Sequence, residues 1–209
     1  CADDYLIPPA IYAPQTTEKA FHELPRPVNP NELITIDVLI LYTPGLASAL
    51  GSRMFPRLEQ AITDANNAYR DSAVNIHLRA IHIQQVEYTD YSNNADALRA
   101  LTYETQSAFA GINQLRDDAK ADLVVLIRSF QYPIQESCGG AWLLGIGEQA
   151  HLIHKQADYA YSVVSVGISN GYSCSDLAFV HELGHNMGLT HDKENATQRG
   201  AFPYSYGYQ

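Results

Sequence analysis

The segment 181–192 carries three histidines, one glutamate and one glycine at spacings that suit a metal site. His181 and His185 are four residues apart, so on a helix they lie on one face with about 6 Å of rise between them, and both imidazoles can reach one ion. Gly188 lets that helix end in a left-handed turn, which can bring His191 back as a third ligand. Three histidines with an open fourth position are typical of catalytic zinc. The sequence therefore predicts one zinc ion bound by His181, His185 and His191.

Glu182 directly follows the first of these histidines. Its carboxylate can reach a water at the metal without being a ligand, which is the position of a general base. Three other interpretations use the same residues: ordinary helix histidines, a structural zinc domain and a catalytically silent zinc module used for binding. A structural zinc requires a fourth protein ligand, and a silent module has no need of a carboxylate beside the metal. The presence of Glu182 therefore favours a hydrolase.

Strands and helices alternate along the part of the chain that leads to this segment. Apolar runs and alternation predict strands at 34–42, 76–83, 123–127, 140–144 and 161–166, the second with a bulge near Ala80. Spacings of three and four predict helices at 54–72, 95–101, 112–120 and 176–187. Thr43, Pro44 and Gly45 indicate a turn after the first strand. This order predicts an α/β fold.

The first 33 residues differ in composition from the rest of the chain. They hold six of the ten prolines, namely Pro8, Pro9, Pro14, Pro25, Pro27 and Pro30. Proline is incompatible with a long helix or a central strand. We therefore expect residues 1–33 to form an extended arm or a propeptide remnant, and residues 34–209 to form the catalytic domain.

The overall composition indicates a folded acidic protein. The 209 residues are 46% hydrophobic and 17% charged, which excludes a fully disordered chain. The 23 acidic side chains against 13 basic ones give a net charge of −10, which argues against nucleic-acid binding. No apolar run reaches the roughly 18 residues of a membrane span. We expect a monomer.

The chain contains three cysteines, so they cannot all pair with one another. We interpret them as a Cys138–Cys174 disulfide with Cys1 left over, and two buried free thiols are the alternative. A disulfide implies an oxidising compartment, so we expect a secreted protein. Cys1 could also carry a lipid anchor or supply a thiolate that blocks the metal in a latent form.

Several segments resemble one peptidase family. HELGHNMGLTH, followed by Asp192, resembles the HExxHxxGxxH motif of the metzincin metallopeptidases and their reprolysin (adamalysin)-like branch. Upstream, CGGAWL at 138–143, YSVV at 161–164, IDVLILYTPG at 36–45 and ADLVVLI at 121–127 are similar to segments of that branch. The combination resembles the bacterial peptidyl-Asp metallopeptidases over about residues 34–209.

The resemblance implies a fold, a zinc site and a mechanism. The fold would be a mixed, mostly parallel twisted sheet with an antiparallel edge strand and a long zinc-binding helix. His181, His185 and His191 would be the zinc ligands, and Glu182 would be the general base toward a zinc-activated water. The edge strand, with Gly140, Ala141, Trp142 and Leu143, would pair with an extended peptide substrate, and Trp142 could line the cleft.

Metzincins also place a methionine turn beneath the metal, downstream of the third histidine. Here the two methionines, Met54 and Met187, both precede His191. The expectation is therefore that the part of the domain that carries this turn is absent from the sequence.

The peptidyl-Asp resemblance implies cleavage on the N-terminal side of aspartate. A carboxylate that enters a pocket of an acidic protein needs a local cation, and an arginine fork suits it best. Lys193 and Arg199 are the basic residues that follow the zinc helix, and Arg199 is the one we predict to bind substrate. The alternative is the apolar pocket common in metzincins, which would select leucine or phenylalanine.

Overall fold

The computed structural model describes residues 11–12 and 32–207. The strands are β1 (Ile11–Tyr12), β2 (Ile34–Tyr42), β3 (Ile76–Gln85), β4 (Leu123–Ser129), β5 (Gly139–Leu143), β6 (Tyr161–Val166), β7 (Ile168–Ser169) and β8 (Tyr172–Ser173). The α-helices are α1 (Pro44–Leu50), α2 (Met54–Asp71), α3 (Asn94–Thr102), α4 (Ile112–Ala119) and α5 (Ala178–Asn186). Short 3-10 segments cover Gly51–Arg53, Ser107–Phe109 and Ala150–Tyr159. The predicted arm lies mostly outside the described residues, apart from Ile11–Tyr12 and residues 32–33.

Six of the strands form the main sheet, in the order β1-β5-β6-β4-β2-β3, and β7 and β8 form a separate two-stranded sheet. The strands β3, β2, β4 and β6 run parallel to their neighbours, and β5 runs antiparallel to β6. The apolar run at the start of β4 is continuous because residues 123–127 are all buried in the middle of this sheet. The predicted mixed, mostly parallel sheet with an antiparallel strand at one side is confirmed, and β1 adds to the outer side of that strand.

Two predictions about β2 and the elements that follow it have different outcomes. The bulge is confirmed, since Val38 pairs with Ala80 whereas Leu39 pairs with His82, so one residue of β3 is extra. The predicted turn after β2 is wrong, because α1 begins there. Thr43 Oγ1 accepts a hydrogen bond from Leu46 N at 3.2 Å, and Pro44 occupies the first helical turn. A threonine N-cap followed by proline starts a helix as readily as it marks a turn.

A buried polar cluster fixes the chain that leads into β5. Arg128 in β4 is fully buried and donates from Nη1 to Asn94 Oδ1 at 3.0 Å. Asn94 in turn donates from Nδ2 to Ser137 O at 2.8 Å. Burial lowers the pKa of Arg128 to about 10, below its ordinary value. The cluster therefore ties α3 and β4 to the residue that directly precedes the cysteine before β5.

The predicted Cys138–Cys174 disulfide is confirmed, with 36 residues of sequence separation and a Cα–Cα distance of 5.3 Å. It joins the start of β5 to the segment that precedes α5.

No helix in the described part of the chain combines the length and the apolar character that crossing a bilayer requires.

Removal of this disulfide with Cys138→Ala/Cys174→Ala is expected to lower the free energy of unfolding by about 3–4 kcal/mol. The reason is that the bond closes a loop with a sequence separation of 36 residues and so restricts the unfolded chain. Urea denaturation of the double variant measures the loss, and Cys1→Ala is the matched control because it leaves the bond in place. An unchanged midpoint in the double variant would show that the bond contributes nothing to stability.

Candidate metal centre

Three imidazoles from two segments converge on one point. His181 and His185 lie on α5 and His191 lies five residues beyond its end, yet one ligand atom from each falls within 4.8 Å of the others. The Nε2 atoms of His181 and His185 are 3.1 Å apart. Two nitrogens at about 2.0–2.1 Å from one tetrahedral zinc ion are separated by roughly 3.3 Å, so the spacing suits a shared ion.

The return of the chain after α5 depends on Gly188. This residue has φ +88°, which is costly for any residue with a side chain. A Cβ at this position would also lie 2.5 Å from the Cβ of Ala201. Both conformation and space therefore require glycine, as the sequence predicts, and the turn brings His191 back toward the helix.

His185 is held in the tautomer that can bind a metal. Its Nδ1–H donates to Leu189 O at 2.7 Å, which leaves the lone pair on Nε2 pointing to the other two histidines. Burial, together with the charge of His181, lowers the pKa of His185 to about 3. The pKa of His191 is also lowered, chiefly by burial. Neutral imidazole is the form that binds a metal.

The segment that carries His191 is fixed by the tail of the chain. Thr190 N donates to Ser205 O at 3.0 Å, and Gly207 N donates to Thr190 O at 3.1 Å. Ser205 and Gly207 were not predictable from the sequence as positioning residues, because backbone pairing of this kind leaves no pattern of residue types.

Two buried polar atoms at the site have no hydrogen-bond partner among the described residues, namely His191 Nε2 and Glu182 Oε2. A buried polar atom without a hydrogen-bond partner makes the folded state less stable, and a ligand at the site would supply that partner. Together with the three converging nitrogens, these atoms show that the residues present fit a zinc ion.

Glu182 lies beneath β5 and away from solvent, with 1% of its surface exposed. A Cβ on Gly139 would be 2.5 Å from Glu182 Oε1 and 2.7 Å from Val163 O, so only glycine lets the strand pass this close. Burial raises the pKa of the Glu182 carboxyl well above its ordinary value. The predicted strand begins at Gly140 and omits Gly139, with which β5 begins, although the pair of glycines was the available signal.

The remaining predicted residues of β5 lie against α5. Asn186 Nδ2 donates to Trp142 O at 3.0 Å, and Leu144 N donates to His185 O at 3.2 Å. Ala141, Trp142 and Leu143 are buried, and Gly140 is buried with them.

The side chain of Trp142 faces the core. Its indole N–H donates to Thr102 Oγ1 at 2.8 Å, and its ring packs edge-on against Tyr103 and Tyr159. The indole is thus not available to line a cleft, and β5 can offer a peptide only its backbone.

Arg199 does not line the cavity beside the histidines. That cavity, of about 430 Å³, has apolar walls from Leu177, Val180 and Leu189. Arg199 instead lines a second depression with Lys193 and donates to Glu148 Oε1 at 2.8 Å.

Comparisons with known proteins agree with this arrangement. A sequence profile of the reprolysin-like members of metallopeptidase family M12B matches residues 33–208. A Pseudomonas aeruginosa protein named peptidyl-Asp metalloendopeptidase is 31% identical over 179 residues, which cover 83% of this chain and 28% of that protein. A Stenotrophomonas maltophilia protein of the same name is 27% identical over 176 residues, which cover 84% of this chain and 38% of that protein. The chain therefore spans about a third of the length of these relatives.

A solved structure described as "Structure of a chaperone-substrate complex" superposes with a TM-score of 0.60. The identity is 23%, and the match covers 77% of this chain and 24% of that chain. At this identity the likeness shows the fold alone.

Proposed function

The chain belongs to the reprolysin-like metallopeptidases of family M12B, and from this membership we propose that it is a secreted zinc endopeptidase that cleaves before aspartate. The observation that carries the proposal is the convergence of three histidine ligand atoms within 4.8 Å beside a buried glutamate. His181, His185 and His191 would hold the metal. When bound, zinc acts as a Lewis acid, which polarises the scissile carbonyl and increases the acidity of water.

Glu182 is the proposed general base. Its carboxylate accepts a proton from the attacking water while a bond forms between the water oxygen and the scissile carbonyl carbon. The same carboxyl then gives that proton to the amide nitrogen as the carbon–nitrogen bond breaks. Its place beneath Gly139 supports this role, because a peptide that lies along β5 is then close to the carboxyl group.

The backbone of β5 is the proposed binding element for substrate. The four residues Gly140, Ala141, Trp142 and Leu143 would pair with an extended peptide through N–H and C=O groups. Backbone pairing is independent of side chains, so it tolerates many substrate sequences outside the specificity pocket.

The preference for aspartate is proposed from the names of the relatives and from charge. Arg199 is the proposed cation, and Lys193 lies in the same depression. In the free protein Arg199 pairs with Glu148, so a substrate carboxylate would have to replace that partner. The apolar walls of the histidine cavity favour the alternative, a preference for an apolar residue after the cut.

Cleavage profiling of a peptide library by mass spectrometry tests the proposal, with zinc present and after its removal. We expect zinc-dependent cleavage with aspartate enriched immediately after the cut. Arg199→Gln should reduce that enrichment by about tenfold, the low end for a hydrogen bond to a charged group, because the side chain is 69% exposed. Arg53→Gln, at an exposed arginine away from the site, is the matched control. Enrichment of leucine or phenylalanine without aspartate would contradict the proposed aspartate preference. It would not contradict the proposed zinc endopeptidase activity.

Secretion is proposed from the disulfide, since such bonds persist in oxidising compartments. We propose that the protein acts as a monomer.

A further inference from the structure

The turn that follows α5 rests on a segment of the tail. Gly188, which reverses the chain there, accepts a hydrogen bond on its carbonyl from Ala201 N at 2.8 Å. A Cβ on Gly188 would lie 2.5 Å from the Cβ of Ala201, so the methyl group of Ala201 lies against the backbone of the turn. Ala201 is 1% exposed. The position of the turn therefore depends on what fills the space at position 201.

That space holds one methyl group. The loop 145–150, which follows β5, also approaches Ala201, since a Cβ on Gly145 would lie 2.8 Å from the Cβ of Ala201. The side chain of Ile153 closes the same space, because its Cγ1 would lie 2.9 Å from that Cβ on Gly145 and its Cδ1 would lie 3.4 Å from a Cβ on Gly188. A larger side chain at position 201 must displace one of these neighbours, because protein interiors are closely packed.

The tail segment 199–201 is bonded to the loop more extensively than to the turn. The loop donates three backbone hydrogen bonds to it, namely Gly147 N to Arg199 O at 3.0 Å, Glu148 N to Gly200 O at 2.9 Å and Ala150 N to Ala201 O at 3.2 Å. The bond from Ala201 N to Gly188 O joins it to the turn. Added bulk at position 201 is therefore expected to displace the turn rather than the loop.

Displacement of the turn affects one of the three histidines. His181 and His185 precede Gly188 and belong to α5, whereas His191 follows Gly188 by three residues. The helix keeps the first two histidines in place through its own backbone hydrogen bonds. Movement at Gly188 therefore changes the distance of His191 from the other two.

We propose that Ala201 is a positioning residue for His191. Its methyl group sets the distance between the loop 145–150 and the Gly188 turn, and through the turn it sets where the third imidazole lies. The inference rests on the proposed metal site, because the placement of His191 matters for zinc only if the three histidines bind it.

The first test is the zinc affinity of Ala201→Val, measured by competition with a chromophoric chelator. We expect a loss of about 10–100-fold, the range for loss of a group that orients a metal ligand. The matched control is Ala65→Val in α2, at an alanine that is also 1% exposed, and α2 carries none of the described residues that line the histidine cavity. Wild-type affinity in a folded Ala201→Val protein would overturn the proposal.

A double-mutant cycle separates positioning from general destabilisation. If Ala201 acts through His191, Ala201→Val should not lower the residual zinc affinity of His191→Ala any further. An equal loss of affinity in both backgrounds would show that position 201 acts on the whole fold, and it would overturn the positioning role.

The smaller variant Ala201→Gly adds no bulk, so it replaces Ala201→Val if that protein does not fold. Removal of one buried methyl group corresponds to about fourfold in an equilibrium constant. We expect zinc affinity to fall by about that factor in the wild-type background and to stay unchanged in the His191→Ala background. If Ala201→Val does not fold, an unaltered affinity of Ala201→Gly overturns the proposal.

Crystal structures of the metal-free proteins test the placement itself and separate this inference from the proposed function. The ring centroids of His181 and His191 are 5.3 Å apart, and those of His181 and His185 are 4.7 Å apart. In Ala201→Val the first distance should change by more than about 0.5 Å, the tolerance of a preorganised site, and the second should not change. If the wild type binds no zinc, the proposed metal site fails and these distances alone decide. Unaltered ring positions would overturn the role of Ala201.

Discussion

The variant Glu182→Gln is expected to retain bound zinc and to lose about 10²–10⁴-fold of its peptidase activity, the usual range for a general base. Glutamine has nearly the same shape as glutamate, so it fits the space beneath Gly139 that the structure provides. It cannot accept a proton from water at neutral pH. The metal should stay, because the three converging ligand atoms come from the histidines and not from Glu182.

The measurement combines kcat/KM on a peptide substrate with zinc content by elemental analysis. Glu194→Gln is the matched control, since Glu194 is an exposed glutamate shortly after the third histidine. Full activity in Glu182→Gln would assign proton transfer to another group. Loss of zinc from the variant would instead place Glu182 among the ligands.

The metal centre is the part of the molecule that was most predictable from the sequence. Spacing on a helix places His181 and His185 on one face, and glycine is the residue favoured where a left-handed turn follows a helix, as at Gly188. These constraints are local, so residue types at fixed spacings express them. The structure brings the three imidazoles together as the spacing predicts.

Features that depend on contacts between distant segments were not predictable in the same way. Gly139 is required because Glu182 lies 43 positions further along the chain and packs against it, and the sequence around Gly139 does not indicate that contact. The start of α1 is a different case, because threonine followed by proline is compatible with both a turn and a helix N-terminus. Tertiary packing decides between the two.

The side chain of Trp142 illustrates the limit of a resemblance. A similar segment in the family predicts an antiparallel edge strand, and β5 is antiparallel to β6, with β1 on its outer side. The direction of each side chain depends on the rest of the core. Here the indole of Trp142 donates a hydrogen bond to Thr102 and packs against Tyr103. The backbone arrangement was therefore predictable, whereas the lining of the cleft was not.

The largest effect on the metal is expected from His191→Ala, which should abolish stoichiometric zinc binding. The wild-type chain should hold one zinc ion after dialysis, because three neutral imidazole nitrogens converge and the buried Nε2 of His191 has no other partner among the described residues. Loss of a hydrogen-bonding partner of a ligand typically costs 10–100-fold in metal affinity, so loss of the ligand itself should cost more than about 100-fold.

A second measurement is stability. Zinc at about 100 times its dissociation constant should raise the free energy of unfolding of the wild type by about 2.7 kcal/mol and leave that of His191→Ala unchanged. His151→Ala, at an exposed histidine in the segment Ala150–Tyr159, is the control and should behave as wild type. Retention of one zinc ion by His191→Ala with unaltered affinity would exclude His191 as a ligand. Another group would then have to serve as the third ligand beside His181 and His185.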